Sequence, residues 1–241
     1  MKMNRLGILV LTVLLALGCA CSCPAPTPSP TTSPTPTPTP AAVTTVQLPE
    51  PRLKSEVSLE EALLKRRSIR EYANLPLTLE DVSQLLWAAQ GITTEWGGRT
   101  APSAGALYPL EVYLAVGNVE NLAAGVYKYK PERHELVKVR DDDVRGELAE
   151  AALGQNWVRE AAIDIVIAAV YERTTKKYGD RGVKYTHMEA GHAAQNIYLQ
   201  ATALDLGTVT IGAFYDDRVK DILGMPKNES PLYVIPVGRK A

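Results

Sequence analysis

The stretch Leu63-Leu64-Lys65-Arg66-Arg67-Ser68-Ile69-Arg70-Glu71-Tyr72 puts three arginines and a serine within five positions, directly after an apolar helical run. Arg66 and Arg70 are four apart, a spacing that lets two side chains share one face of a helical turn. Guanidinium forks match phosphate oxygens bidentately and keep their charge at any working pH. The Ser68 hydroxyl between them adds a neutral donor. Such a group suits a dianionic phosphate carried on a planar, electron-accepting ring. The plain alternative is a solvated basic helix end, where Lys and Arg complement the helix dipole. A short R-R-S-x-R run alone does not choose between the two.

Other chemistries are absent or incomplete. The chain has no G-x-G-x-x-G, no G-x-x-x-x-G-K-[ST] and no G-x-S-x-G, which argues against a Rossmann cofactor site, a P-loop and an α/β-hydrolase elbow. His187 and His192 are five residues apart. That is about 500° around a helix, so they do not face one metal. Glu189-Ala190-Gly191-His192 matches the E-x-x-H of di-iron bundles, but those need two copies and this chain has one. His192 therefore reads as a helix-packing histidine, and His134, in the turn Pro131-Glu132-Arg133-His134, as a solvated surface residue. No metal site is expected. The formal net charge of −1 over 241 residues gives no case for nucleic acid as a partner.

The elements that must position these residues are legible in outline. Ser58-Leu59-Glu60-Glu61 is a capping box opening a helix that runs into Arg66. Thr78-Leu79-Glu80-Asp81 caps a second helix, with Leu79, Val82, Leu85, Leu86 and Ala89 as its apolar stripe and Gly91 as its stop. Leu110 to Val116 reads as a strand, and Val126–Tyr129 with Glu135–Val139 as a hairpin. Asp141 to Leu153 reads as helical. Ala162 to Tyr171 is nearly continuously apolar and β-branched, which predicts a central buried strand. Met188 to Leu206 is the longest helical pattern and is apolar or small over most of its circumference. A helix of that kind needs partners on every side, which predicts a subunit interface. Thr208–Ile211 and Leu232–Val237 read as strands, and Asp216–Leu223 as a helix. Interleaved helices and strands with an antiparallel hairpin give an α+β fold with a mixed central sheet.

The N-terminus reads as a targeting region. Lys2 and Arg5 precede the apolar run Leu6–Leu17, which is too short for a comfortable mature membrane span. Leu15-Ala16-Leu17-Gly18-Cys19 resembles a bacterial lipobox with lipid on Cys19, although Ala16 and Leu17 depart from the usual pattern. A cleaved, unlipidated signal and an uncleaved anchor are the alternatives. The three cysteines all fall at 19, 21 and 23, so the rest of the chain has no thiol for a disulfide or a zinc site. Residues 24–40 hold eight of the seventeen prolines. This composition favours an extended stalk, with a reach on the order of 80 Å from Cys23 to Pro49. The expected organisation is a signal and lipobox at 1–23, a Pro/Thr-rich linker at 24–51 and one globular domain at 52–241.

Five blocks, taken in order, resemble the FMN-dependent nitroreductase superfamily. They are Arg66–Tyr72, Ala101-Pro102-Ser103-Ala104-Gly105-Ala106-Leu107-Tyr108-Pro109, Glu189-Ala190-Gly191-His192-Ala193-Ala194-Gln195-Asn196, Gly207-Thr208-Val209-Thr210-Ile211-Gly212-Ala213-Phe214 and Val237-Gly238-Arg239. Within the superfamily they look most like the SagB-type dehydrogenases of thiazole/oxazole-forming systems. The resemblance implies an α+β homodimer with two FMN sites at the subunit interface. It assigns Arg66, Ser68 and Arg70 to FMN, with Arg66 towards the phosphate and Arg70 towards the pyrimidine edge. A fixed cation at that edge stabilises the charge that reduction places there. Pro102, Ser103, Ala104 and Gly105 would come from the other subunit. Gly212 and Ala213 would present backbone N–H groups to the flavin, and Arg239 would complete the phosphate site.

The SagB-type branch also places a Lys–Tyr pair just before its interface helix, here Lys184-Tyr185. Oxidising an azoline to an azole removes a hydride from one carbon and a proton from the next. A partly desolvated lysine beside a phenol can take that proton. A surface lysine ahead of a helix is the plain alternative. The expectation is an extracytoplasmic, lipid-anchored FMN oxidoreductase acting on a small molecule or peptide. An NAD(P)H-dependent reductase of quinones or nitroaromatics and a non-catalytic flavin binder are the alternatives.

Overall fold

The computed structural model describes residues 44–241; the signal, the lipobox and the proline-rich stalk lie outside the described residues. In chain order the elements are β1 (Thr45–Gln47), α1 (Leu59–Lys65), β2 (Tyr72–Ala73), α2 (Leu79–Gln90), a 3-10 turn (Ala104–Ala106), β3 (Leu110–Val116), β4 (Gly125–Lys130), β5 (Glu135–Arg140), α3 (Arg145–Ala151), α4 (Asn156–Glu160), β6 (Ile163–Ala169), α5 (Glu172–Tyr178), α6 (Arg181–Ala203), β7 (Leu206–Thr208), α7 (Asp216–Ile222) and β8 (Ser230–Lys240). The fold is α+β. The strands form one sheet in the order β1-β5-β4-β3-β6-β8-β2, with β7 also on β8. Every pairing between named strands is antiparallel, where the sequence reading expects a mixed sheet.

β6 lies between β3 and β8 and is buried along its whole length. Its residues alternate between two cores: Ile163, Ile165 and Ile167 face the layer of α2 and α6, while Val166 and Ala168 face the layer of α3 and α7. Cover on both faces is why this strand reads as an unbroken apolar run. Asp164 interrupts the second face with no exposed surface and no hydrogen bond to its carboxyl oxygens among the described residues. Burial pushes its carboxyl well above the usual range, against the opposing pull of Arg145, and so favours the neutral acid.

Both N-caps form, but the capping box expected at Ser58–Glu61 is half made, because the Glu61 carboxylate pairs with Lys65. Ser58 accepts from the Glu61 N–H at the start of α1. Thr78 and Asp81 form a complete capping box on α2, and the Gly91 N–H closes that helix on the Trp87 carbonyl. α6 begins earlier than its apolar pattern, at Arg181, so Lys184 and Tyr185 lie inside it and not ahead of it. Nor is it buried all round within one chain: Val183, Lys184, His187, Met188, His192 and Gln195 are exposed, while Ala190, Ala193, Ala194, Ile197 and Ala201 are buried.

The folded domain starts before Arg52. Thr45, Val46 and Gln47, part of the expected linker, pair with Val137, Leu136 and Glu135 at the sheet edge, and Leu48 is buried in the core. Gln84 of α2 then clamps the backbone of Arg52, accepting from its N–H at 2.8 Å and donating to its carbonyl at 3.1 Å. His134 is not a solvated turn residue. Its Nε2 lies 3.0 Å from the Pro49 carbonyl and 2.7 Å from Ser83 Oγ, and its Nδ1 lies 2.9 Å from the Tyr129 hydroxyl. The Pro49 carbonyl requires a proton on Nε2, which leaves Nδ1 to accept from Tyr129. The turn sequence misleads because the incoming strand covers it.

Burial holds the His134 pKa below its ordinary value, against smaller opposing contributions from Pro49 and Glu50. The unfolded chain binds that proton more tightly, so this stability is present above about pH 6.5 and is lost on acidification below it. His134→Ala should lower stability at pH 7.5 by about 1–3 kcal/mol, the range for leaving buried partners unsatisfied. Urea unfolding at pH 7.5 and pH 5.5 checks both points, because the wild-type advantage over the variant should shrink at the lower pH.

Candidate functional site

The arginine stretch does not form a helical turn. α1 ends at Lys65, and Arg66 already has φ −52° and ψ 125°. From there the chain runs as an extended strap across β7 and β8. The Ile69 N–H donates to the Thr208 carbonyl at 2.9 Å. A side chain at Gly207 would put its Cβ 2.8 Å from Ile69 Cγ2, so this approach requires glycine. Tyr72 then ties the strap down through its hydroxyl, which donates to the Ile69 carbonyl at 2.9 Å.

The extended path separates the arginines. Arg67 turns back on α1, donating to the Leu64 and Arg66 carbonyls at 3.0 and 2.7 Å. It is the helix-end arginine of the plain alternative. Arg66 lies 5.1 Å from the centre of the Tyr198 ring, and Arg70 lies 5.5 Å from the Trp157 ring. Neither has an ion-pair partner among the described residues. Ser68 Oγ is 3.0 Å from the Tyr198 hydroxyl, which also accepts the Thr210 N–H at 2.9 Å. Burial alone would raise the Tyr198 phenol. The Ser68 and Thr210 hydrogen bonds and the Arg66 charge outweigh it and hold the phenol below the usual range. One phenol on α6 thus joins the strap to the segment leading into Gly212.

Gly212 follows Ile211, which bridges to Val234, and the space where its side chain would stand is open. It lines a groove of about 300 Å³ with His187, Ala190, Leu232 and Tyr233. The Ala213 carbonyl accepts from Gln155 Nε2 at 3.2 Å. Arg239 is held differently from Arg66 and Arg70. Its Nη2 pairs at 2.6 Å with Asp81 Oδ2, the carboxylate that also caps α2.

The Pro102–Gly105 segment sits on the opposite flank of α6. Gly105 has φ +65° inside the 3-10 turn, and a Cβ there would meet the Tyr178 hydroxyl at 2.6 Å. Ser103 Oγ accepts the Tyr108 N–H at 2.9 Å and donates to Glu189 Oε2 at 2.6 Å. Pro102, Ser103, Ala104, Tyr185, Met188, Glu189 and His192 line a largely apolar pocket of about 260 Å³. His192 is therefore an exposed pocket residue and not a packing one. The Tyr185 ring meets Tyr178 edge-on at 5.2 Å, while Lys184 is exposed.

One chain therefore brings Arg66, Ser68, Arg70, Gly212 and Ala213 towards one side of α6. It sets Pro102, Ser103, Ala104, Gly105 and Tyr185 on the other. Sequence reasoning passes over three residues of this arrangement, Trp157, Gln155 and Tyr198, and weighs Glu189 only as half of an E-x-x-H pattern and as part of a family block. Tyr198 is 130 positions from the serine it touches and lies within an apolar helical pattern, so no local signal marks it.

The nitroreductase family model matches residues 63–239. The chain belongs to the nitroreductase family. It is 54% identical over 195 residues to a Methanocaldococcus jannaschii protein named "Putative nitroreductase", covering 81% of this chain and 96% of that one. It is 26% identical to a Vibrio harveyi NADPH-flavin oxidoreductase, covering 74% of this chain and 64% of the relative. It also aligns with a chain of the Escherichia coli microcin synthetase McbBCD complex with truncated pro-MccB17 bound, at 25% identity and a TM-score of 0.64, covering 80% of this chain and 77% of that one. The protein is thus an oxidoreductase of this family, with flavin-reductase relatives.

Glu189 is 2% exposed, and its Oε1 has no hydrogen-bond partner among the described residues. Burial pushes its carboxyl up to about 7 from an ordinary 4.5, against the Ser103 hydrogen bond and the Arg99 charge. The folded carboxyl binds its proton more tightly than the unfolded one. This contribution to stability is therefore present below about pH 4.5 and is lost as pH rises through about 7. Glu189→Gln cannot ionise. Between pH 5 and pH 8 it should lose up to about 3 kcal/mol less stability than wild type, a difference read from urea unfolding at the two pH values.

Proposed function

We propose that this chain is an FMN-dependent dehydrogenase of the SagB type, a homodimer tethered outside the membrane by lipid on Cys19. The observation that carries the reading is an arginine pair, Arg66 and Arg70, that meets rings and no carboxylate, beside a serine hydroxyl held by Tyr198 and an open groove at Gly212. Uncompensated guanidinium groups on a rigid strap match a phosphate and an electron-rich ring edge. The residues present therefore fit FMN. Bound there, FMN would supply the two-electron chemistry that no side chain of this protein can.

The roles fall to named residues. Arg66 and Ser68 hold the phosphate end, and Tyr198 fixes Ser68. Arg70 faces the ring edge, and the open backbone at Gly212 and Ala213 borders the ring. Arg239 serves the phosphate less directly, since Asp81 shares its charge. Pro102–Gly105 stands on the far flank of α6, where it serves the site of a second subunit. The exposed stripe of Lys184, Met188, His192 and Gln195 is the surface that a second copy covers. Covering it desolvates Lys184, which with Tyr185 is then the pair that takes a proton from a small-molecule or peptide substrate. The alignment with a chain of the microcin synthetase complex, which holds a bound peptide, supports the dehydrogenase reading.

The similarity to an NADPH-flavin oxidoreductase favours a second reading, reduction of quinones or nitroaromatics by NAD(P)H. Stopped-flow mixing separates the two. On the dehydrogenase reading, NADH and NADPH reduce the flavin slowly and with no strong preference between them. Rapid, saturable reduction by either nucleotide overturns it in favour of the reductase.

Binding tests the cofactor assignment. The purified protein should be yellow, with one FMN per subunit. Arg66→Ala should weaken FMN by about 1.5–3 kcal/mol, the range for a hydrogen bond to a charged group, and Tyr198→Phe by about 0.5–1.5 kcal/mol. Fluorescence titration measures both. Equal affinity of the wild type for FMN and riboflavin would remove the phosphate contact from the reading. A flavin-loaded monomer in light scattering at micromolar concentration would remove the shared site.

A further inference from the structure

Ser103 belongs to the Pro102–Gly105 segment assigned above to the FMN site of a second subunit, but its hydrogen bond to Glu189 has no part in that assignment. The pair is nevertheless built into the pocket beside Tyr185. Ser103 Oγ has one proton and two lone pairs. The Tyr108 N–H fills one lone pair at 2.9 Å. The remaining groups are the hydroxyl proton and the second lone pair, and Glu189 Oε2 at 2.6 Å takes one of them. Which one depends on the carboxyl. When Glu189 is ionised, the hydroxyl proton must point at it, and Ser103 offers the pocket a lone pair. When Glu189 is protonated, its own O–H fills that lone pair, and the hydroxyl proton is free to point into the pocket.

We propose that Ser103 and Glu189 form a one-proton relay that exchanges a proton with the molecule bound in the pocket of Pro102, Ala104, Tyr185, Met188 and His192. The inference rests on the dehydrogenase reading above. In substrate oxidation, the relay takes the proton in place of Lys184 and Tyr185, the pair named in the reading above: it leaves the substrate for Ser103 Oγ as the serine's own proton passes to Glu189 Oε2. The electron pair left behind forms the new double bond, and the other hydrogen would leave with its two electrons as hydride, for which FMN would be the acceptor. Ser103 ends unchanged and Glu189 ends neutral.

The surroundings suit a group that must hold its proton near neutrality. Glu189 is 2% exposed, and its Oε1 has no partner among the described residues. Burial raises its carboxyl to about 7. Arg99 is the nearby cation that opposes this, and it is itself stacked on Tyr108 at 4.7 Å and hydrogen-bonded to Gln90. Tyr185 and His192 line the pocket from α6, and Lys177 and Tyr178 of α5 reach the Gly105 turn. None of these makes a hydrogen bond to the Glu189 carboxyl, so Ser103 is its one route out among the described residues.

Two measurements on the purified protein test the relay. Infrared titration should show one protonated carboxyl lost with a midpoint near 7, absent from Glu189→Gln. In Ser103→Ala the band should remain, with its midpoint moved up, because the serine hydrogen bond holds it down. The second measurement is the pH dependence of kcat/KM for a synthetic thiazoline peptide. Wild type should rise with pH through about 7, and both variants should lose that limb and at least tenfold of the rate, the lower part of what a lost general base costs. A carboxyl anchoring the loop alone would leave the limb in place in Glu189→Gln, and that result overturns the relay. So does the absence of any carboxyl titrating near 7. If the enzyme instead reduces a quinone with NAD(P)H and does not oxidise the peptide, the dehydrogenase reading fails. The relay then requires the opposite limb, falling through about 7 and lost in both variants, and survival of that limb overturns it. If neither substrate turns over, an unshifted midpoint in Ser103→Ala overturns the relay, and an upward shift supports it.

Discussion

The close packing of α6 on the sheet is the constraint from which the rest follows. Its inner face is built of Ala190, Ala193, Ala194, Ile197 and Ala201, all buried. Small side chains let the helix axis lie near the strands, and dense contact of this kind is sensitive to single methylene groups. A larger residue at Ala193 would lift the helix and move every side chain it carries. Those include Tyr198, which gathers the arginine strap, His187 and Ala190 at the Gly212 groove, and Glu189 and Tyr185 at the opposite flank. A 23-residue helix is about 35 Å long, so one rigid element sets the distances between all of these groups.

Local chemistry was legible in the sequence, and contact across the chain was not. Both N-caps, the β4–β5 hairpin and the central strand β6 follow from short-range rules, whereas the short β1, β2, α4 and α5 do not. The start of α6 was placed late because Arg181 to His187 is polar, and hydrophobic periodicity does not see a helical turn whose outer face is solvated. His134 was misread for a related reason. The turn is correctly a turn, but the strand that buries its imidazole comes from residues nearly ninety positions away. Val46 and Leu48 were absorbed into a linker because a three-residue strand is too short to announce itself beside a proline-rich run.

The candidate site divides in the same way. The arginine–serine cluster was found by residue type, yet its geometry differs from the helical turn assumed for it. An extended strap places Arg66 and Arg70 over two different rings and gives Arg67 the helix-end role. Tyr198 and Glu189 were invisible as functional groups because each is defined by a partner far along the chain. Burying a carboxyl without satisfying both oxygens is costly. Asp164 on β6 carries the same cost with both oxygens unpaired, so what singles out Glu189 is its hydrogen bond to Ser103 at the wall of a pocket.

The edge pairing of β1 has a mechanical consequence. Residue 44 enters the domain at the rim of the sheet, through Thr45, Val46 and Gln47 on β5. The Leu48 N–H then bonds the His134 carbonyl, and the Gln84 amide grips Arg52 on both sides. Tension arriving along the preceding chain is therefore spent on these pairings in series before it reaches α1. The β1 pairing is loaded at the edge of the sheet opposite β8, the strand over which the arginine strap is laid down. A pull on the N-terminus is therefore taken up first at the β1 pairing, and only then at the Gln84 amide, which also bonds Gln200 of α6, so the edge strand works as a strain-relieved fitting.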